Sequence, residues 1–146
     1  MNERIRLGFT IDLGDGSQPI AMVDDETLDY EIARRFHERS DLANPFVHFR
    51  DGPSFIAYLE RSKGGEAPLP ILVLMDVNMP RMNGFEVIEA MRQDETFRRI
   101  PVVSMLTSSS DVRDRERAKT SGADNYMVKP FDPRVYLEFF NSLTAG

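Results

Sequence analysis

With 146 residues, 41% of them hydrophobic and 29% charged, the chain has the size and balance of one globular domain with a real core, and no apolar run approaches the roughly 20 residues needed to cross a bilayer. A net charge of −6 argues against a general affinity for nucleic acid phosphates. The lack of cysteine excludes a disulfide framework and thiolate chemistry, and the start MNERIRLGFTIDLGDG has no apolar stretch of the secretory kind, so a cytoplasmic protein is expected.

Ile5, Leu7, Phe9, Ile11 and Leu13 alternate with Arg6, Gly8, Thr10 and Asp12, a strand-like period of two. Residues 1–18 are read as an N-terminal extension, a partly ordered tail in preference to an added edge strand or a dimer arm, and residues 19–146 as the domain. From there, apolar runs rich in β-branched residues alternate with helical stretches. PIAMV (Pro19 to Val23) precedes a helix near Thr27 carrying Leu28, Ile32, Ala33 and Phe36; FVHF (Phe46 to Phe49) precedes one with Phe55, Ile56 and Leu59. ILVLM (Ile71 to Met75) leads, after Gly84, to a helix marked by Phe85, Val87, Ile88 and Met91. PVVSML (Pro101 to Leu106) leads to a mostly polar helix in DVRDRERAKTSGAD, stopped at Gly122. NYMV (Asn125 to Val128) leads to DPRVYLEFFNSL, with Asp132 as N-cap, Pro133 at the first helical position, and Val135, Leu137, Phe139 and Phe140 available for burial. This alternation predicts an α/β fold with a doubly wound, five-stranded parallel sheet, and continuous apolar runs predict strands covered on both faces. In such sheets the ligand site lies outside the carboxyl ends of the strands.

Polar residues stand at those ends: Asp24 and Asp25 after the first strand, Asp76 after the third, Thr107 after the fourth and Lys129 after the fifth. Carboxylates gathered in one cleft repel, and a divalent cation such as Mg2+ removes that repulsion while leaving positions for phosphate oxygens. A lysine ammonium and a threonine hydroxyl can hold further phosphoryl oxygens. The set reads as a phosphoryl-binding site with its own carboxylate nucleophile, Asp76.

MVDDE, LMDVNMPRMNGFEV, MLTSSS and YMVKPF, in this order and spacing, resemble the response-regulator receiver domain of two-component signalling, over about residues 19 to 143. The resemblance implies the flavodoxin-like strand order 2-1-3-4-5 and a switch, not an enzyme, whose chemistry is its own phosphorylation and autodephosphorylation. It implies that Asp76 accepts a phosphoryl group from phosphohistidine on a sensor histidine kinase or a histidine phosphotransfer protein. Asp25 would bind Mg2+ directly and Asp24 through water, with Asp76 and the backbone carbonyl of Asn78 completing the protein ligands. Thr107 would contact the phosphoryl group, Lys129 would pair with it, and Tyr126 would change rotamer as the switch closes. Asn78 and Ser109 would tune the lifetime of the acyl phosphate. The Lys129–Pro130 peptide would be cis, which proline makes affordable. The fourth helix, fifth strand and fifth helix would form the face for a downstream partner.

Each residue also has a plainer reading. Asp24 and Asp25 could cap a helix, Asp76 could be a turn residue, Thr107 and Ser109 could be caps, Lys129 a solvated lysine and Tyr126 half-buried packing. His37 and His48 are isolated and suggest neither a metal site nor a phosphodonor. The charges of the fourth helix, Arg113, Arg115, Arg117 and Lys119 among Asp111, Asp114 and Glu116, read as a solvated face or as a partner surface. The leading expectation is a stand-alone receiver without an output domain, hence no direct DNA binding. A phosphorelay intermediate and an adaptor of the same fold that is never phosphorylated are the alternatives, and homodimerisation stays open. A haloacid-dehalogenase type of phosphohydrolase is disfavoured, because Asn78 stands where its general acid would be.

Overall fold

The computed structural model describes residues 11–107 and 112–144. Ten elements alternate along the chain: β1 (Ile20–Val23), α1 (Thr27–Arg39), β2 (Phe46–Phe49), α2 (Gly52–Lys63), β3 (Leu72–Asp76), α3 (Gly84–Gln93), β4 (Val102–Leu106), α4 (Val112–Ser121), β5 (Asn125–Val128) and α5 (Arg134–Thr144). The strands form one parallel sheet in the order β2-β1-β3-β4-β5, the expected doubly wound arrangement. β1, β3 and β4 are buried at every residue, because helices cover both faces and leave no side for polar alternation.

Alternate residues of each strand feed two cores. Ile20, Met22, Leu72, Leu74, Val103 and Met105 pack with Tyr136, Phe139 and Phe140 of α5. Ala21, Val23, Val73, Met75 and Val102 pack with Phe55 and Leu59 of α2 and with Val87, Ile88 and Met91 of α3. An aromatic wedge joins α1, β2 and α5: Phe46 lies 5.2 Å from Tyr30, 5.1 Å from His37 and 5.3 Å from Phe140, between ring centroids.

Two apolar assignments shift. Leu28 is 68% exposed, since it lies on the outer side of the first turn of α1. In α5 the buried set is Tyr136, Phe139, Phe140 and Leu143, with Leu137 only half-buried, because the helix turns its 136/139/140/143 stripe toward α1 and the sheet. α5 also starts one residue later than expected, with Asp132 Oδ1 accepting from the Arg134 amide at 3.0 Å.

Most of the alternating segment before Pro19, residues 1–10, lies outside the described residues. The part that follows is built from turns and loop, not strand. Ile11 joins the α5-side core with Leu13 packed against it, and the Leu13 carbonyl accepts from Asn44 Nδ2 at 3.3 Å. Among the described residues no helix is long and apolar enough to cross a membrane.

Candidate phosphoryl-acceptor site

The register of the sheet builds the site. Val23 is paired with Met75 and Leu106 with Val128, so the next residues, Asp24 beside Asp76 and Thr107 beside Lys129, meet at one rim. The Lys129 amide donates to the Leu106 carbonyl at 2.7 Å, extending the ladder to the residue that carries the ammonium. The tight turn after β3 depends on Gly84, whose amide donates to the Val77 carbonyl at 3.3 Å. A Cβ at Gly84 would collide with the Asp76 carbonyl oxygen and lie 2.9 Å from Met75 Cγ, so only glycine lets α3 start this close to the end of β3.

Asp24 and Asp76 are buried and Asp25 is exposed, and their carboxylate oxygens lie within 4.8 Å of one another. Asp24 Oδ1 accepts from the Glu26 amide at 2.8 Å and Asp76 Oδ1 from the Asn78 amide at 3.1 Å. The second oxygens, Asp24 Oδ2 and Asp76 Oδ2, are buried without a hydrogen-bond donor. The Lys129 ammonium lies between them, 3.3 Å from Asp24 Oδ2 and 3.4 Å from Asp76 Oδ2.

Burial, reinforced by the Asp24 charge and opposed by Lys129 and the Asn78 amide, pushes the Asp76 carboxyl up to about 7. Burial also raises Asp24, against the Glu26 amide and Lys129. For Lys129, burial disfavours the charge, but Asp24, Asp76 and Asp29 together outweigh it and hold its pKa above the ordinary value. Two buried acids with orphaned oxygens beside an exposed third are what a hard, oxygen-seeking divalent cation fits, because it supplies the missing partner for each.

Thr107 is exposed at the end of β4, and its Oγ1 accepts from Asn78 Nδ2 at 3.3 Å. Tyr126, paired with Ser104, is 37% exposed and stands outside the acidic cluster. Ser109 lies outside the described residues. The Lys129–Pro130 peptide is a correction: it is trans, with no cis bond among the described residues. An X–Pro bond accepts either isomer at small cost, and Lys129 reaches the carboxylates from the trans form.

Asp29 is the residue missed in the sequence. It lies in the first turn of α1 and its Oδ2 accepts from Lys129 Nζ at 3.0 Å. Its signal was its place in the first turn of the helix that follows Asp24 and Asp25, where an acidic side chain suits the helix N-terminus. Tyr136, buried at the start of α5, has its hydroxyl pushed up by burial and then by the charges of Asp29 and Asp24. His48 Nε2 lies 2.8 Å from the Asp24 carbonyl oxygen, a structural contact that steadies the end of β1.

Residues 20–141 match the response regulator receiver domain. The probable methanogenesis regulatory protein FilR2 of Methanothrix harundinacea is 34% identical over 111 residues, 76% of this chain and 71% of that protein. The response regulator PleD of Caulobacter vibrioides is 37% identical over 94 residues, 64% of this chain but only 19% of that longer protein. The crystal structure of the phosphorylated cyanobacterial phytochrome response regulator RcpA superposes with a TM-score of 0.75 at 26% identity, covering 87% of this chain and 91% of that one. A match over nearly all of the sheet and its helices, with the acidic rim at the expected strand ends, means that the chain belongs to the response regulator receiver domains.

Proposed function

We propose that the chain is a phosphorylation switch in which Asp76 takes a phosphoryl group from a phosphohistidine of a sensor histidine kinase or a histidine phosphotransfer protein. The observation that carries this is the buried Asp76 carboxylate at the end of β3, with the Lys129 ammonium 3.4 Å away and two further acids in its cluster. In the reaction an Asp76 oxygen forms the bond to phosphorus as the bond from phosphorus to the imidazole nitrogen breaks, its electron pair returning to the ring. Lys129 holds one equatorial oxygen, and the Thr107 hydroxyl donates to another. Asp24, Asp25, Asp76 and the Asn78 carbonyl would hold Mg2+, which when bound neutralises the carboxylates and the phosphoryl charge. Hydrolysis of the acyl phosphate returns Asp76 to its resting state.

The signal leaves through α4, β5 and α5. A cavity of about 480 Å³ lined by Arg115, Lys119, Asn125 and Tyr126, among others, supports a downstream protein partner on this face. Tyr126 lines it, on the strand beside the one that leads to Thr107, where a rotamer change would alter the surface the partner meets.

Incubation with acetyl phosphate and Mg2+, followed by intact mass measurement, tests the reading. Wild type is expected to gain one phosphoryl group, and Asp76→Asn none. No adduct on wild type, or an undiminished adduct on the variant, would overturn it.

A further inference from the structure

Lys129 is shared by three acids, but not equally. Its Nζ is 3.0 Å from Asp29 Oδ2, 3.3 Å from Asp24 Oδ2 and 3.4 Å from Asp76 Oδ2. Only the Asp29 contact has hydrogen-bond geometry, while the facing oxygens of Asp24 and Asp76 remain without a donor although they are buried. The resting ammonium therefore makes its shortest and best-aligned contact on the α1 side, and faces the two rim acids at longer range. Asp29 is fixed where it stands, since its own amide donates to the Glu26 carbonyl at 3.1 Å and α1 is wedged against α5 through Phe46 and Phe140.

We infer that Asp29 is a positioning residue that holds the Lys129 ammonium on the α1 side of the rim and competes with a phosphoryl group on Asp76 for it. This rests on the acceptor-site reading above. A phosphoryl group on Asp76 then draws the ammonium toward itself and weakens its contact with Asp29. That exchange ties occupancy of Asp76 to the contact between the first turn of α1 and the loop after β5, a link spanning 100 residues of chain. The side chains of Lys129 and Asp29 are 21% and 31% exposed, so solvent screens the pair and its contribution is modest.

The test uses beryllofluoride, a phosphoryl mimic, with saturating Mg2+. Asp29→Asn is expected to bind it about two- to fivefold more tightly than wild type, the range of a partly exposed ion pair. Asp29→Ser carries the same expectation and serves if the asparagine variant folds poorly. Glu26→Gln removes one charge from the same turn, from a side chain that makes no cap hydrogen bond, and is expected to leave affinity within error of wild type. In Asp29→Asn the 15N resonance of Lys129 Nζ is expected to move, without ligand, toward the position that wild type reaches only with beryllofluoride. Unchanged affinity in both Asp29 variants, an equal gain in Glu26→Gln, or an unmoved Nζ resonance would overturn the inference. If wild type itself binds no beryllofluoride, the acceptor-site reading falls instead.

Discussion

Burial of the Asp76 carboxylate carries an electrostatic cost, and that cost has a pH signature. The carboxylate's folded pKa of about 7 lies above the ordinary value of 3.8, so between those two values the folded state binds the extra proton. Stability without divalent cation therefore falls as pH rises from about 4 to about 7 and stays low above that. Asp24, raised by the same burial, adds in the same direction. Asp76→Asn removes the penalty and is expected to stabilise the cation-free protein at pH 8, with little effect near pH 4. Urea unfolding at the two pH values checks both the sign and the window. Gly84 offers a second residue-scale test of the same corner. Gly84→Ala forces a methyl against the Asp76 carbonyl and against Met75 Cγ, and is expected to cost about 2–3 kcal/mol in thermal or urea unfolding, because strand and helix would have to separate.

At the level of elements, α3 carries the clearest local code. Asn83 Oδ1 accepts from the Glu86 amide and Glu86 Oε1 from the Asn83 amide, both at 3.0 Å, a capping box legible in NGFE. Its C-terminal end is held by something no local pattern announces. The Arg92 guanidinium donates to the carbonyls of Gly122, Phe97, Arg98 and Ile100 at 2.8, 3.3, 3.0 and 2.9 Å, and to Asp124 at 3.0 Å. It thereby ties α3 to the loops that lead into β4 and β5. Asn83→Ala is expected to cost about 1 kcal/mol. Arg92→Met strips donors from several carbonyls at once and is expected to cost more, about 2–3 kcal/mol. Equilibrium unfolding of the two variants side by side checks the order. α5 shows the same division. Its amphipathic character was legible in VYLEFFNSL, but which stripe faces inward depended on α1, and the helix chose Tyr136 and Leu143 over Leu137.

For the molecule as a whole, one sheet with both faces covered makes the two cores interdependent, and Phe140 is the joint on the α5 side. It is fully buried and its ring touches His37, Phe46 and Phe139 at centroid distances of 5.3, 5.3 and 5.5 Å. Phe140→Ala is expected to lower stability by about 3–5 kcal/mol, measurable in urea, and to loosen α1 against α5, seen as faster amide exchange in both helices. The fold itself was legible because a doubly covered parallel strand reads as an unbroken apolar run, and five such runs separated by helical spacing leave few right-handed topologies. The acidic rim was legible for a related reason: a residue directly after a parallel strand must stand at its carboxyl end, so Asp24, Asp76, Thr107 and Lys129 could be placed from order alone. By itself the sequence determined the sheet and its acidic rim, and singled out Asp76 as the proposed acceptor. Only the tertiary structure decided that Lys129 gives its best-formed hydrogen bond to Asp29, that Arg92 binds the loops leading into β4 and β5, and that the bond before Pro130 is trans. Each of these depends on how side chains or backbone from distant parts of the chain settle against one another, at distances that spacing along the chain does not encode.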